Sequence, residues 1–361
     1  MQKAWRNIRL GWPLIGWISL NLVAQPLYDT LSAEAAFQRG MLRYVQGYYH
    51  EAVGYFSHAI HRSEGQLVRA YTMRGASYLM SGQYSDALQD LRMAFSKDPT
   101  EYNALRFMVE TFWAQGQYDS ALQRAQQILN LHPNPLYHDY LVLARLYRFT
   151  GQPEKSFRAY LKAAHVSDTA IEPRTVIIYE YLQRGYPDSA LRYIQQVLQQ
   201  DHLNPDAMYN RGIAYALKKQ YDSAVTALLT FLFYYPGDPQ AYLALADAYR
   251  YQGKSNKAKK YYRYALAADS TLSLPYLSLA YLYQLENKMD SAVMTLIPLL
   301  EQDPQHPQAN YYMGRILALQ QRDEACIYLK RAANAGHLEA QKVFQQICRL
   351  TPSYEQPDDR P

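Results

Sequence analysis

The chain has 361 residues, with 37 Lys or Arg against 32 Asp or Glu; its formal charge of +5 falls to +2 once residues 1–24, which hold Lys3, Arg6 and Arg9 and no acid, are set aside. Near balance excludes an extended nucleic-acid footprint, because phosphate binding needs a concentrated excess of Lys and Arg. A content of 49% hydrophobic and 19% charged residues excludes an intrinsically disordered chain, and two cysteines are too few for a disulfide scaffold or a cysteine-based metal cluster. Tyrosine, at 36 residues, is unusually frequent, which suits helices that are half core and half groove.

Lys3, Arg6 and Arg9 precede an apolar run from Leu10 to Ala24, followed by Gln25. Basic residues, a short apolar stretch and a small residue at its end read as an export signal over 1–24, with a short linker over 25–32. The run is too short for a permanent span, which needs about 20 residues, so a membrane would be met only through an uncleaved N-terminal segment. No Cys lies near Ala24 to carry a lipid. The expected location is the periplasm or cell envelope of a Gram-negative bacterium, and the Ala24-Gln25 junction with the recurring Asp-Ser-Ala resembles exported repeat proteins of Bacteroidetes-type organisms.

From residue 33 onward the chain repeats every 34 or 35 residues, with units starting at 33, 68, 102, 137, 171, 205, 239, 273 and 307. Place 8 of the units, counted from each start, holds Gly40, Gly75, Ala144, Gly212, Ala246, Ala280 and Gly314, with Val109 and Ile178 as exceptions. Place 20 holds Ala52, Ala87, Ala121, Ala190, Ala224, Ala258 and Ala292, with Ser156 in unit four. Place 11 is aromatic in seven units: Tyr78, Phe112, Tyr147, Tyr181, Tyr215, Tyr249 and Tyr283. Pro99, Pro133, Pro236 and Pro304 stand at place 32. Apolar residues three and four apart on both sides of a turn near place 15 predict two antiparallel helices per unit. Gly47, Gly82, Gly116, Gly151, Gly185 and Gly253 mark the turn. Asp119, Asp188, Asp222 and Asp290 favour the positive end of the second helix, and proline ends it.

With these residues in place the chain resembles the tetratricopeptide repeat family over about residues 33–340. Unit one and unit nine depart from the pattern, since Arg43 and Leu317 replace the ring and Ala325 comes one residue early, implying a shorter last turn. The stretch from Tyr328 through Ala340 resembles the related Sel1-like repeat, with a capping helix over 338–350 and a disordered tail over 351–361. The resemblance implies an all-α, right-handed α-solenoid of about nine helix-turn-helix units whose inner wall is built from first helices.

In the resembled family, places 2, 5, 9, 12 and 13 line that groove. Those places point to Arg106, Trp113, Arg145, Arg148, Phe149, Tyr179, Tyr209, Arg250, Tyr251 and Tyr281, a wall rich in rings and arginine that suits an extended peptide. Arg106, Trp113, Arg145, Arg148 and Phe149 form the densest local set. A carbohydrate or cell-wall glycan is the alternative ligand, since rings also stack on sugars. Members that clamp chaperone carboxyl termini use Lys and Asn where unit one has Phe37 and Met41, so that partner class is not expected.

Other motifs are weaker. The stretch from Ala248 to Ser255 fits a loose phosphate-loop pattern, but Tyr249 and Gly253 fall in repeat register and helix precedes them. His58 and His61, three apart with His50 and Glu64 nearby, are solvated helix histidines in the simplest reading, and no catalytic fingerprint, metal site or cofactor motif is present. The expectation is a non-enzymatic scaffold. Cys326 and Cys348 lie on two helices predicted to run antiparallel, where either a disulfide or two separate buried thiols would fit.

Overall fold

The structure, a computed structural model, describes residues 31–348. The export signal, most of the linker that follows it, and the C-terminal tail lie outside the described residues. Among the described residues there are nineteen α-helices and no strand. They fall into two compact units divided at Asp168 and Thr169.

The first unit holds four hairpins: α1 (Ala33–Val45) with α2 (Tyr49–Arg62), α3 (Val68–Met80) with α4 (Tyr84–Lys97), α5 (Tyr102–Ala114) with α6 (Tyr118–Leu131), and α7 (Tyr137–Phe149) with α8 (Pro153–Val166). The second holds α9 (Ile171–Gln183) with α10 (Pro187–Gln200), α11 (Pro205–Leu217) with α12 (Tyr221–Tyr234), α13 (Pro239–Tyr251) with α14 (Ser255–Ala268), and α15 (Ser273–Leu285) with α16 (Met289–Gln302). It ends with α17 (Pro307–Leu319), α18 (Ala325–Asn334) and a capping helix α19 (Leu338–Ile347).

Each hairpin closes on a left-handed residue. Gly47 has φ +81° with open space where a Cβ would stand, so its glycine answers to backbone conformation and not to crowding. Lys219, Asn287 and Gln321 take the same region at φ 58° without that freedom.

Place 8 obeys the opposite rule. A Cβ on Gly212 would lie 2.5 Å from Leu228 Cγ, one on Gly40 2.6 Å from the Phe56 ring, and one on Gly75 2.8 Å from Leu91 Cγ. The knob filling the space is therefore place 24 of the second helix, and Phe56, Leu91, Leu228 and Leu296 are all fully buried there. Val109, an exception at place 8, sits opposite Ala125, where large and small have changed sides. Ile178 and Ile194 share one buried cluster.

Successive first helices touch within each unit: α1 with α3, α3 with α5, α9 with α11, α11 with α13, and α15 with α17. No two successive second helices pack as closely among the described residues, so in each unit the first helices crowd onto the inner side of the stack. The carboxylates at the start of the second helices reach forward. Asp222 accepts from Gln252 Nε2 at 2.9 Å, Asp290 from Gln320 Nε2 at 2.8 Å, and Asp188 pairs with Lys218 Nζ at 2.6 Å, each tying one hairpin to the next.

The last hairpin corrects the expected shorter turn. Its connector runs from Gln320 to Glu324, longer than the Gln46–Tyr48 connector of the first, and α18 has 10 residues where the other second helices have 14. A disulfide joins Cys326 to Cys348 with Cα atoms 5.7 Å apart, in a cluster with Leu329 that Tyr311, Val343 and Phe344 flank. A thiol-counting reagent on the unfolded, unreduced chain is expected to find none; a count of two would remove the bridge. Gly75→Val is expected to destabilise the fold by about 1–3 kcal/mol in urea titrations. Adding Leu91→Ala, which copies the Val109–Ala125 arrangement, should recover part of that loss, and strict additivity of the two changes would contradict the packing assigned to these places.

Candidate functional site

On the inner wall of the second unit, α13, α15 and α17 enclose a cavity of about 610 Å³ lined by Arg250, Leu274, Leu277, Ser278, Tyr281 and Tyr312, together with Ser273, His306 and Gln308. Its cation is held from behind. Tyr262, on α14, has its ring in the core with no exposed surface, and its hydroxyl donates to Asp247 Oδ1 at 2.5 Å. Arg250 Nε donates to the same hydroxyl at 3.2 Å, its Nη2 reaches Asp247 Oδ1 at 3.3 Å, and its guanidinium lies over the Tyr251 ring at 4.2 Å.

Burial and the Asp247 charge push the Tyr262 hydroxyl well above the ordinary tyrosine value, so it stays a donor at any physiological pH. Burial pulls on Arg250 in the other direction, but its contacts with Tyr251 and Tyr262 and the Asp247 charge outweigh it and hold the group cationic. A fixed cation beside Leu274, Leu277 and two tyrosines can bind a carboxylate and an apolar side chain together.

The wall residues of the first unit are placed differently. Arg106 donates from Nε and Nη2 to the two oxygens of Asp139, at 2.8 and 2.9 Å, and Asp139 is buried and also accepts from the Leu136 backbone N–H. This fork ties α5 to α7, so Arg106 is engaged in holding the two helices together. Trp113 meets Tyr118 and Phe149 edge-on, and Tyr118 stacks on Phe149 at 4.9 Å and 19°. The same clasp recurs where Tyr221 stacks on Tyr251 at 5.2 Å and 8°. In both, a ring opening one second helix covers a ring closing the next first helix. Tyr118 and Phe149 border a second cavity at the hairpin connectors with Gly116, Asp119 and Gly151. Arg145 and Arg148 are exposed on α7, and Tyr179 is exposed on α9. Tyr209 departs from the groove expectation: it packs edge-on against Phe231 in the core cluster of the second unit, and burial raises its hydroxyl pKa.

Family models of the tetratricopeptide repeat match residues 78–146, 176–242 and 239–271. The chain is a tetratricopeptide repeat protein. It is 33% identical over 82 residues to Superkiller complex protein 3 of Homo sapiens, a match covering 23% of this chain and 5% of that protein. It is 26% identical over 203 residues to a DnaJ homolog subfamily C member 3 homolog of Dictyostelium discoideum, covering 56% of this chain and 36% of that one. The chain thus spans well under two thirds of these relatives. Among solved structures, PilW, a type IV pilus biogenesis factor, is similar at 18% identity and a TM-score of 0.48, over 58% of this chain and 97% of that one. A tetratricopeptide repeat protein from Parabacteroides merdae is similar at 17% identity and a TM-score of 0.46, over 70% of this chain and 100% of that one.

In this tetratricopeptide repeat array the structure brings Arg250, Tyr251 and Tyr281 to one place, and adds Leu274, Leu277 and Gln308, which stand at places 2 and 5 but carry neither charge nor ring. Tyr262 was not legible as a site residue, because place 24 is a core position in the other hairpins up to the eighth. The loose phosphate-loop stretch runs from the last turn of α13 through a three-residue connector, with Gly253 at φ +73°, to the first residue of α14. Among the described residues no group of three or more His, Cys, Asp or Glu could hold a metal, and His58 faces the Leu31 carbonyl at 3.2 Å.

Tyr262→Phe is expected to cost about 1–2 kcal/mol of stability, because it removes the hydroxyl that donates to Asp247 and accepts from Arg250; an unchanged denaturation midpoint would deny the tyrosine its anchoring role. Glu110 on α5 is desolvated, which raises its carboxyl above the ordinary glutamate value, against a smaller opposing effect of His138. Its protonated form is favoured by folding, so its contribution to stability is present at low pH and lost as pH rises through the raised value. Glu110→Gln should therefore flatten the pH dependence of stability above the ordinary glutamate range, checked by thermal melts across pH.

Proposed function

We propose that this chain is a non-catalytic protein-interaction scaffold that holds an extended peptide segment against its first helices, with the cavity of α13, α15 and α17 as the main grip. The observation that carries this reading is Arg250, fixed by Asp247 and Tyr262 beside Tyr281 and two leucines on the inner wall. The pairing suits a segment with an acidic and an apolar side chain close together.

We also propose export to the periplasm or cell envelope of a Gram-negative bacterium, with a role in envelope assembly or secretion. Support comes from the Lys3, Arg6, Arg9 and Leu10–Ala24 pattern, and from the Cys326–Cys348 bridge, a feature of oxidising compartments. Deleting residues 1–24 should leave the protein in the cytoplasmic fraction, and continued recovery from the periplasm would refute the address.

Crosslinking and pull-down from native envelope, with residues 25–361 as bait, should recover a protein partner. Arg250→Ala combined with Tyr281→Ala should weaken that partner by about 2 kcal/mol or more with helicity unchanged by circular dichroism. Affinity should also fall with rising salt. Wild-type affinity in the double variant would move the grip elsewhere, and salt-insensitive binding of a neutral oligosaccharide would replace the peptide by a glycan.

A further inference from the structure

On the outer side of the hairpins, hairpin four has alanine at a place where hairpins five and seven carry a stacked ring. In hairpin seven, Tyr261 on α14 stacks on Tyr249 at 5.4 Å and 14°, and also faces Tyr242 at 6.3 Å and 24°. In hairpin five, Tyr193 stacks on Tyr181 in the same way, at 5.9 Å and 28°. These pairs occupy places 23 and 11. Hairpin four keeps the receiving rings, Tyr140 and Tyr147, at the places of Tyr242 and Tyr249, but has Ala159 where Tyr261 would stand.

Where hairpin seven places Tyr261, hairpin four has a cavity of about 330 Å³ between α6, α7 and α8, lined by Tyr140, Tyr147 and Ala159 and by Lys155, Arg158 and Lys162. No carboxylate is among the lining residues. Lys155 lies over the Tyr147 ring at 5.7 Å, as Lys257 lies over Tyr249 at 5.3 Å in hairpin seven, so the cation arrangement is kept while the ring is absent. The Tyr147 hydroxyl is held by Gln126 Nε2 at 3.0 Å.

We propose that this cavity receives a tyrosine side chain from an extended acidic segment of a partner protein. Hairpin seven supplies the template for the ring, since an aromatic side chain between these two tyrosines is a packing the chain already uses on itself. Three cations without an acid supply the charge preference. The amides of Gln126 and Asn130 on the rim can meet the main chain of the guest. The site shares no residue with the grip around Arg250 and does not depend on it.

The test uses the full described chain and the blocked peptide Ac-Glu-Glu-Tyr-Glu-Glu-NH2 in isothermal titration at low ionic strength. The peptide should bind, and Ala159→Tyr, which installs the ring found in hairpin seven, should weaken it by at least about tenfold. Arg158→Glu should weaken it comparably, which keeps the test open if the tyrosine variant folds poorly by circular dichroism. Lys342→Ala, on α19 and lining neither cavity, should leave it unchanged. No binding, equal affinity for the peptide with alanine in place of tyrosine, or wild-type affinity in folded Ala159→Tyr would each overturn the assignment.

Discussion

The close approach of two helix backbones at place 8, against a large side chain at place 24, is the contact on which the array depends. Where Gly212 faces Leu228, no room remains for even one methyl group. Dispersion and burial are gained only if the two helices meet at that depth, and the connector of three residues can close only if they do. Hairpin three shows that the requirement is on the sum of the two side chains and not on glycine itself, because Val109 is matched by Ala125. An isolated hairpin buries one side of such a contact. Stacking buries the rest, which is why the core clusters run from each hairpin into its neighbours within a unit.

That same place 24 is where structure and function meet. In most hairpins it carries an aliphatic or phenyl group that ends inside the core. In hairpin seven it carries Tyr262, whose ring does the same packing while its hydroxyl, still buried, bonds Asp247 and Arg250 from behind the inner wall. A buried ring loses little conformational freedom when a ligand arrives, so the arginine it braces is presented in advance. The long side chain of an arginine on a helix surface would otherwise sample many rotamers, and binding would have to order it.

Rings of this chain fall into separable jobs according to their place. Those at places 17 and 13 clasp successive hairpins, as Tyr118 does Phe149 and Tyr221 does Tyr251. Those at places 11 and 23 stack within one hairpin on the outer side, as in Tyr249 with Tyr261. Tyrosine serves all of these because each site is half buried, with one edge of the ring packed and the hydroxyl near water. Its high frequency therefore reflects several interfaces per repeat and not one ligand surface.

The period, the two helices per unit and the small residues at places 8 and 20 were legible in the sequence, because they depend on contacts inside one hairpin and recur in register in most of the nine units. The turn glycines and the disulfide candidates were legible for the same reason, since each is a short-range constraint. Whether Arg106 or Arg250 was available to a ligand was not legible, because both are arginines at inner-wall places. The difference lies in what stands across from them: both oxygens of a buried Asp139 accept from Arg106, while Asp247 and Tyr262 brace Arg250 at the edge of an open cavity. Tyr209, half-buried, packs against Phe231, a core residue of the other helix of its hairpin. A repeat's sequence thus determined which surfaces exist, since local packing sets them. Only tertiary structure decided which side chains on those surfaces remain unspent, because that depends on partners supplied by the other helix or the next repeat.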